Sequence, residues 1–323
     1  MPLYDAIKNF NKQFEYEPKI GNEGSLKKGD KFVVAGMGGS HLAADMLKTW
    51  KPELDLIIHG DYGLPPLRGD DIKERLIILS SYSGNTEEVL SSYEEAKRNN
   101  LALVILSVGG KLLESAKKDG IPYVQMPDVG IQPRSALGFS LKALLKLIGE
   151  EAALEEVARL AYALAPEEYE EGGAVLAGRL NGFIPLIYSS FRNFSIAYNW
   201  KIKFNETAKI PAFCNVFPEL NHNEMTGFDV NRKTKPLSEK FYFIFLQDEV
   251  DPSRIKKRME VLDKLLRTRD FPVEILKLEG KTIFEKIFSS LVLADWISYY
   301  LAEQYGVEAE QVPMVEEFKK LIA

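Results

Sequence analysis

One cysteine, Cys214, stands among 323 residues, so no disulfide can form within the chain. Neither the paired-cysteine nor the HExxH pattern of a metal site occurs, and the chain has three histidines in all, His41, His59 and His222. No apolar run approaches the ~20 residues of a membrane span. No long basic run appears, and the formal charge is -6, so the electrostatic footprint of nucleic-acid binding is missing. The opening "MPLYDAIKNF" lacks the apolar centre of a signal peptide. Together these absences describe a cytoplasmic protein with neither nucleic acid nor membrane as partner. Cys214 is expected to be a small core residue, with a catalytic thiol as the alternative.

Hydrophobic residues make up 46% of the chain and charged residues 27%, enough apolar material for a core in each of two domains. The first half alternates. "KFVVAG", "LDLIIHG", "RLIILSS", "LALVILS" and "IPYVQMP" read as strands, with helical patterns such as "HLAADMLKTW" and "TEEVLSSYEEAKRNN" between them. Runs of Val, Ile and Leu that do not alternate mark strands buried on both faces. Strands spaced by helices mark βαβ units in a parallel sheet. A helix is expected from near Arg134, then an acidic, Ala-rich helical stretch in which the division falls, giving domains 1–152 and 153–323. The second half repeats the alternation in "FIPLIYSS", "FYFIFLQD" and "PVEILKLEG", with helices over "FRNFSIAYNWKIKFNETAK", "SRIKKRMEVLDKLLRTRD", "TIFEKIFSSLVLADWISYYLAEQYG" and the chain end. The fold class is α/β in both halves.

Two strand ends carry the chemistry. "LIILSSYSGNTEEVL" ends a strand in Ser81, Ser83, Gly84 and Thr86 and then opens a helix. "VVAGMGGSHLAADML" does the same with Gly36, Gly38, Gly39 and Ser40. Unpaired N–H groups and the helix dipole make such a junction an anion site. Hydroxyls add donors, and Gly84 permits a tight turn. Thr86 before Glu87 and Glu88 also suits a plain N-cap, and Ser83-Gly84-Asn85 a plain turn. Gly36-x-Gly38 begins a dinucleotide fingerprint, with Asp61 about twenty residues on. His41 takes the place of the last glycine, and a fragment of that motif is weak.

"GMGGS" followed by "SYSGNTEE" resembles the sugar isomerase (SIS) fold. With "QPRSALGFSL", "KFNETAKIP" and "PELNHNEMTGF" in order over both halves, the chain is similar to the archaeal-type bifunctional phosphoglucose/phosphomannose isomerases. The resemblance implies two SIS-type subdomains, each a flavodoxin-like parallel sheet flanked by helices, and a homodimer with shared active sites. It implies a phosphosugar substrate, no cofactor and no metal, in carbohydrate metabolism (glycolysis and gluconeogenesis). It places Ser81, Ser83 and Thr86 at the phosphate, with Gly38, Gly39 and Ser40 lining the same pocket. It makes Glu206 the proton-transfer base, His222 the ring-opening acid, in its own or the neighbouring subunit's pocket, and Arg134 the cation at the transition state. A lysine near the sugar is expected at Lys319, with Lys320 as its rival.

Those residue types suit the reaction. A histidine exchanges protons near neutrality. A carboxylate held against C1 and C2 can carry the proton between them. An arginine stabilises the enediolate without losing its own proton. Each position also has a plainer reading. Glu206 lies three residues from both Lys203 and Lys209, as on an exposed ion-paired helix. His222 lies in a polar, loop-like stretch, and Lys319 on a terminal helix open to solvent. Arg134 at a helix start opposes the dipole, which favours a functional or packing reason. His41 could be a pocket contact or a rival acid. The competing functions are a non-catalytic phosphosugar sensor, an isomerase of another phosphosugar and, more distantly, a nucleotide-dependent oxidoreductase.

Overall fold

The computed structural model describes residues 1–322. The chain forms two compact units, one of Met1 with Asn9–Leu164 and one of Pro2–Lys8 with the chain from Ala165 onward.

The first unit holds β1 (Ile20–Gly21), β2 (Lys31–Ala35), β3 (Asp55–His59), β4 (Leu76–Ser80), β5 (Leu103–Ser107) and β6 (Tyr123–Gln125). The five strands expected from apolar runs are all present; β1, two residues long, leaves no pattern to read. The order is β1-β6-β5-β4-β2-β3, parallel except for β1. Val33, Val34, Ile77, Ile78, Val104 and Ile105 are fully buried, which is why these strands do not alternate in polarity. Helices Leu42–Trp50, Glu87–Arg98 and Gly110–Asp119 make crossovers. The last of these escapes sequence reading, because "GKLLESAKKD" buries only Leu112, Leu113 and Ala116. The helix expected from Arg134 begins later, at Leu137. Pro133–Ser135 closes first as a 3-10 turn, with the Ala136 N–H bonded to the Pro133 carbonyl at 3.1 Å.

The second unit holds β7 (Ile184–Ser190), β8 (Phe213–Phe217), β9 (Phe241–Gln247) and β10 (Val273–Lys277), ordered β10-β9-β7-β8 and parallel throughout. Edge strand β8 was not expected. It is short, lies between Pro211 and Pro218, and is mostly only partly buried. One face of the sheet packs an aromatic core of Tyr188, Phe217, Phe243, Phe245, Phe228 and Phe271. Helix Phe194–Glu206 packs on β7 and β8, and against the long helix Ile283–Tyr305.

Counting strands from β2, the first sheet is wound 2-1-3-4-5; counting from β7, the second is wound 2-1-3-4. Both follow the flavodoxin-like order. In each, the winding reverses beside the first strand, between β2 and β4 or between β7 and β9. Ligand crevices open at the carboxyl ends of strands at such a point.

Candidate active site

The motifs GMGGS and SYSGNT leave the carboxyl ends of β2 and β4, the two strands flanking the first reversal. They are stitched together. The Ser80 hydroxyl donates to the Ser40 carbonyl at 2.7 Å, and the Tyr82 N–H donates to Ser40 Oγ at 3.0 Å. Ser81 Oγ accepts from the Gly84 N–H at 3.0 Å and shares a hydrogen bond with Thr86 Oγ1 at 2.8 Å. Ser83 Oγ accepts from the Asn85 N–H at 3.2 Å. A hydroxyl that accepts a backbone N–H keeps its own proton to donate. Thr86 is the N-cap residue of helix Glu87–Arg98, but its side chain makes no capping bond; its hydroxyl is turned to Ser81 instead. Helix Leu42–Trp50 likewise starts without a side-chain cap. Two helix N-termini and the four hydroxyls of Ser40, Ser81, Ser83 and Thr86 therefore gather at one edge of one sheet, an arrangement that suits a phosphate.

Glycines fix this shape by what they exclude. Gly84 has φ +69°, and a Cβ there would lie 1.8 Å from the Gly109 carbonyl oxygen. A Cβ on Gly39 would lie 2.7 Å from Pro133 Cβ and 2.8 Å from the Arg134 nitrogen. The 3-10 turn carrying Arg134 thus presses directly on GMGGS, and Arg134 itself is 2% exposed. Gln13 clamps that turn, donating to the Ser135 carbonyl at 2.7 Å and accepting from the Gly138 N–H at 3.0 Å. The loop after β5 braces the other side, with the Val108 N–H on the Tyr82 carbonyl at 3.0 Å and the Lys111 N–H on Asn85 Oδ1 at 3.1 Å. Sequence reading missed both supports. "SVGGK" after the fourth strand, a serine and two glycines at a strand end, was the available signal for the second; Gln13 offered none.

The reversal of the second unit has opposite electrostatics. Asp248 and Asp251 follow β9 and are buried. Lys286 Nζ meets Asp248 Oδ1 at 2.6 Å, and Asp251 Oδ2 accepts from the Asp248 N–H at 3.1 Å. Burial first, then the charge of Asp248, raise the Asp251 carboxyl above the ordinary range; hydrogen bonds from Ser190 and the Asp248 backbone, with the charge of Arg192, oppose the rise. Two acids at this edge disfavour an anion.

Glu206 ends helix Phe194–Glu206 and is partly buried. Lys203 does not serve it as a surface partner: Lys203 is buried and pairs with Asp295 at 2.6 Å. The Lys209 ammonium donates to the Glu206 backbone carbonyl and, at 2.6 Å, to the Gln311 carbonyl. His222 ends the 3-10 turn Glu219–His222 after β8, and its side chain is exposed. Helix Phe194–Glu206 runs back from the end of β7 to the start of β8, so Glu206 lies at the amino edge of the sheet and His222 at the carboxyl edge. Five residues of β8 separate those edges, about 17 Å of strand. Lys319 lies on the exposed final helix Pro313–Ile322, paired with Glu316 at 2.8 Å. His41 Nδ1 meets Asp45 Oδ2 at 2.7 Å, both partly buried, which sets the ring's orientation. Burial raises the Cys214 thiol to about 11, against a nucleophilic role. Among the described residues, no group of three or more His, Cys, Asp or Glu side chains could hold a metal ion, and no helix is long and apolar enough to cross a membrane.

Residues 170–322 match the family model for the bacterial phospho-glucose isomerase C-terminal SIS domain. A bifunctional phosphoglucose/phosphomannose isomerase of Aquifex aeolicus is 34% identical, aligned over 98% of this chain and 97% of its own. One from Thermoplasma volcanium is also 34% identical, over 100% of this chain and 98% of its own. Among solved structures, a hypothetical protein of Thermus thermophilus superposes with a TM-score of 0.72 at 18% identity, covering 99% of this chain and 87% of that one; this is a likeness of fold. Identity of 34% over nearly the full length of both chains establishes that the chain belongs to the bifunctional phosphoglucose/phosphomannose isomerase family.

Proposed function

We propose that the chain is an aldose–ketose isomerase that interconverts glucose 6-phosphate and mannose 6-phosphate with fructose 6-phosphate in the cytoplasm. The observation that carries the reading is the pair of hydroxyl-rich turns at the first reversal, with the turn of Arg134 packed against Gly39 of the first. Gly38, Gly39, Ser40, Ser81, Ser83 and Thr86 grip the phosphate. That grip performs no chemistry, but it holds C1 and C2 in place, so remote binding energy supports the reacting centre.

His222 protonates the ring oxygen and opens the sugar. Glu206 removes the proton from C2 and returns it to C1 through a cis-enediol, while Arg134 stabilises the charge on the enediolate oxygen. The enediol has lost the C2 configuration that distinguishes glucose from mannose, so one site serves both. Neither a metal nor a nicotinamide is needed. Lys319, on its exposed helix, is the remaining candidate for a sugar contact.

The ring oxygen is bonded to C1, so the acid and the base must reach neighbouring atoms. Glu206 and His222 of one copy stand at opposite ends of β8, which supports a homodimer in which each pocket takes His222 from the partner. The phosphate turns then belong to domain 1–152, and the base and histidine to domain 153–323.

The reading is tested by assaying fructose 6-phosphate formation from each aldose phosphate in EDTA, with wild type and Glu206→Gln. Turnover with both substrates that Glu206→Gln abolishes is the expected result; a folded Glu206→Gln variant with normal turnover removes the proposed base. Binding without turnover in the wild type favours a sensor. Mixing Glu206→Gln with His222→Asn, which is strongly impaired but keeps residual turnover, tests sharing, since random hybrids rebuild one intact site in two and recover about a quarter of wild-type activity. No recovery on subunit exchange places both residues in one copy.

A further inference from the structure

The turn carrying His222 is tied down on both sides of an exposed side chain. Before it, Arg258 Nη1 donates to Asn221 Oδ1 at 3.2 Å. After it, Asn223 donates to Glu219 Oε1 at 2.7 Å and caps the next turn through the Glu224 N–H. Glu224 then reaches back to the sheet. Its Oε1 accepts from the Tyr188 hydroxyl and its Oε2 from Asn215 Nδ2.

Tyr188 and Asn215 are register partners on the parallel strands β7 and β8, so their side chains leave the sheet together on one face. Tyr188 is 1% exposed and packed among the rings of Phe217, Phe243 and Phe245. The Val216 N–H donates to Asn215 Oδ1 at 2.8 Å, which turns the Asn215 NH2 toward Glu224. Each carboxylate oxygen therefore meets a donor held in place by contacts of its own. Drawing a carboxylate against an aromatic core is costly, and two charge-assisted hydrogen bonds offset that cost. A turn that only joined two elements would need no such anchor two residues from a histidine left exposed.

We propose that Glu224 is a positioning residue for His222, with Tyr188 and Asn215 acting through it. The inference rests on the reading of His222 as the ring-opening acid. The anchor holds the backbone of an otherwise exposed turn, so the imidazole meets the ring oxygen without first having to be ordered.

Glu224→Gln keeps the length and removes the charge. It is to be measured in wild-type and His222→Asn backgrounds for kcat on glucose 6-phosphate. In parallel, calorimetry gives the affinity for 5-phosphoarabinonate, an open-chain acid phosphate that resembles the enediolate and needs no ring opening. The expected result is a kcat loss of about 10²-fold, unchanged affinity for the open-chain acid, and no further loss in the His222→Asn background. Tyr188→Phe removes one donor, keeps the ring packing and should show a smaller loss of the same kind; it decides the matter if Glu224→Gln does not fold. A loss that persists undiminished in His222→Asn, or that comes with weakened binding of the open-chain acid, makes Glu224 merely structural and overturns the inference. A strongly impaired His222→Asn beside a fully active Glu224→Gln overturns the inference alone. A fully active His222→Asn overturns the reading of His222, and the inference with it.

Discussion

Lys203 and Asp295 form a buried ion pair of 2.6 Å between helix Phe194–Glu206 and helix Ile283–Tyr305. The pair sits one turn before Glu206. It lies beside a second link between the same helices, from Trp200 Nε1 to Ser290 Oγ at 2.9 Å. The last turns of the helix that presents Glu206 are thus pinned to the core.

Breaking this pair from one side should be severe. Asp295→Ala leaves a buried ammonium without its carboxylate, and the loss of stability should be about 3–5 kcal/mol. Urea denaturation would measure it. The double change Lys203→Met with Asp295→Leu should be far milder, because neither charge of the pair then remains buried. Equal losses in the two variants would mean that packing, and not charge, governs the site.

Gly84 separates strain from collision. Gly84→Ala forces an L side chain to φ +69° and drives its Cβ onto the Gly109 carbonyl. Gly120→Ala imposes a similar φ, +68°, with nothing within 4 Å. Gly120→Ala should therefore cost only the left-handed strain, about 1–2 kcal/mol, and leave KM unchanged. On the proposed phosphate grip, Gly84→Ala should deform the SYSGNT turn and raise KM at least about tenfold. Thermal unfolding with steady-state kinetics checks both; equal KM values would detach Gly84 from phosphate binding.

Asp251 predicts a pH signature. Burial holds its folded-state pKa above the ordinary carboxylate value. Between the unfolded value of about 3.9 and the raised folded value, the folded protein keeps a proton that the unfolded chain has lost. Stability attributable to this group therefore falls as pH rises through that window and stays flat above it. Asp251→Asn should remove the decline, so its advantage over wild type grows through the window and is constant at neutral pH. Denaturation midpoints across that range would record it; an advantage that shrinks with rising pH reverses the sign and removes burial as the cause.

Cys214 should be inert. With its thiol raised to about 11, roughly one thiol in a thousand is ionised at about pH 8. Alkylation of the folded protein should be slow, and unfolding should release it. Cys214→Ser should keep full turnover; loss of turnover in a folded Cys214→Ser would reopen a role for the thiol.

Much of the scaffold was written locally. Strands such as β4, buried along all five residues, show as unbroken apolar runs, and the turns after β2 and β4 show as glycine and hydroxyl clusters because a tight strand-to-helix junction needs those residues within a short stretch. Elements with weak local contrast were lost: edge strand β8, whose burial is partial, and helix Gly110–Asp119, which is polar on most of its surface. The sequence by itself determined the alternation of strands and helices in both halves and the two glycine- and hydroxyl-rich turns. Only the tertiary structure decided that Lys203 belongs to Asp295, 92 residues away, that Gln13 clamps the turn of Arg134, and that Tyr188 and Asn215 stand side by side to receive Glu224. Only it set Glu206 and His222 at opposite ends of β8. Such pairings come from strand register and helix packing between distant segments, and contacts of that kind leave no periodic trace along the chain.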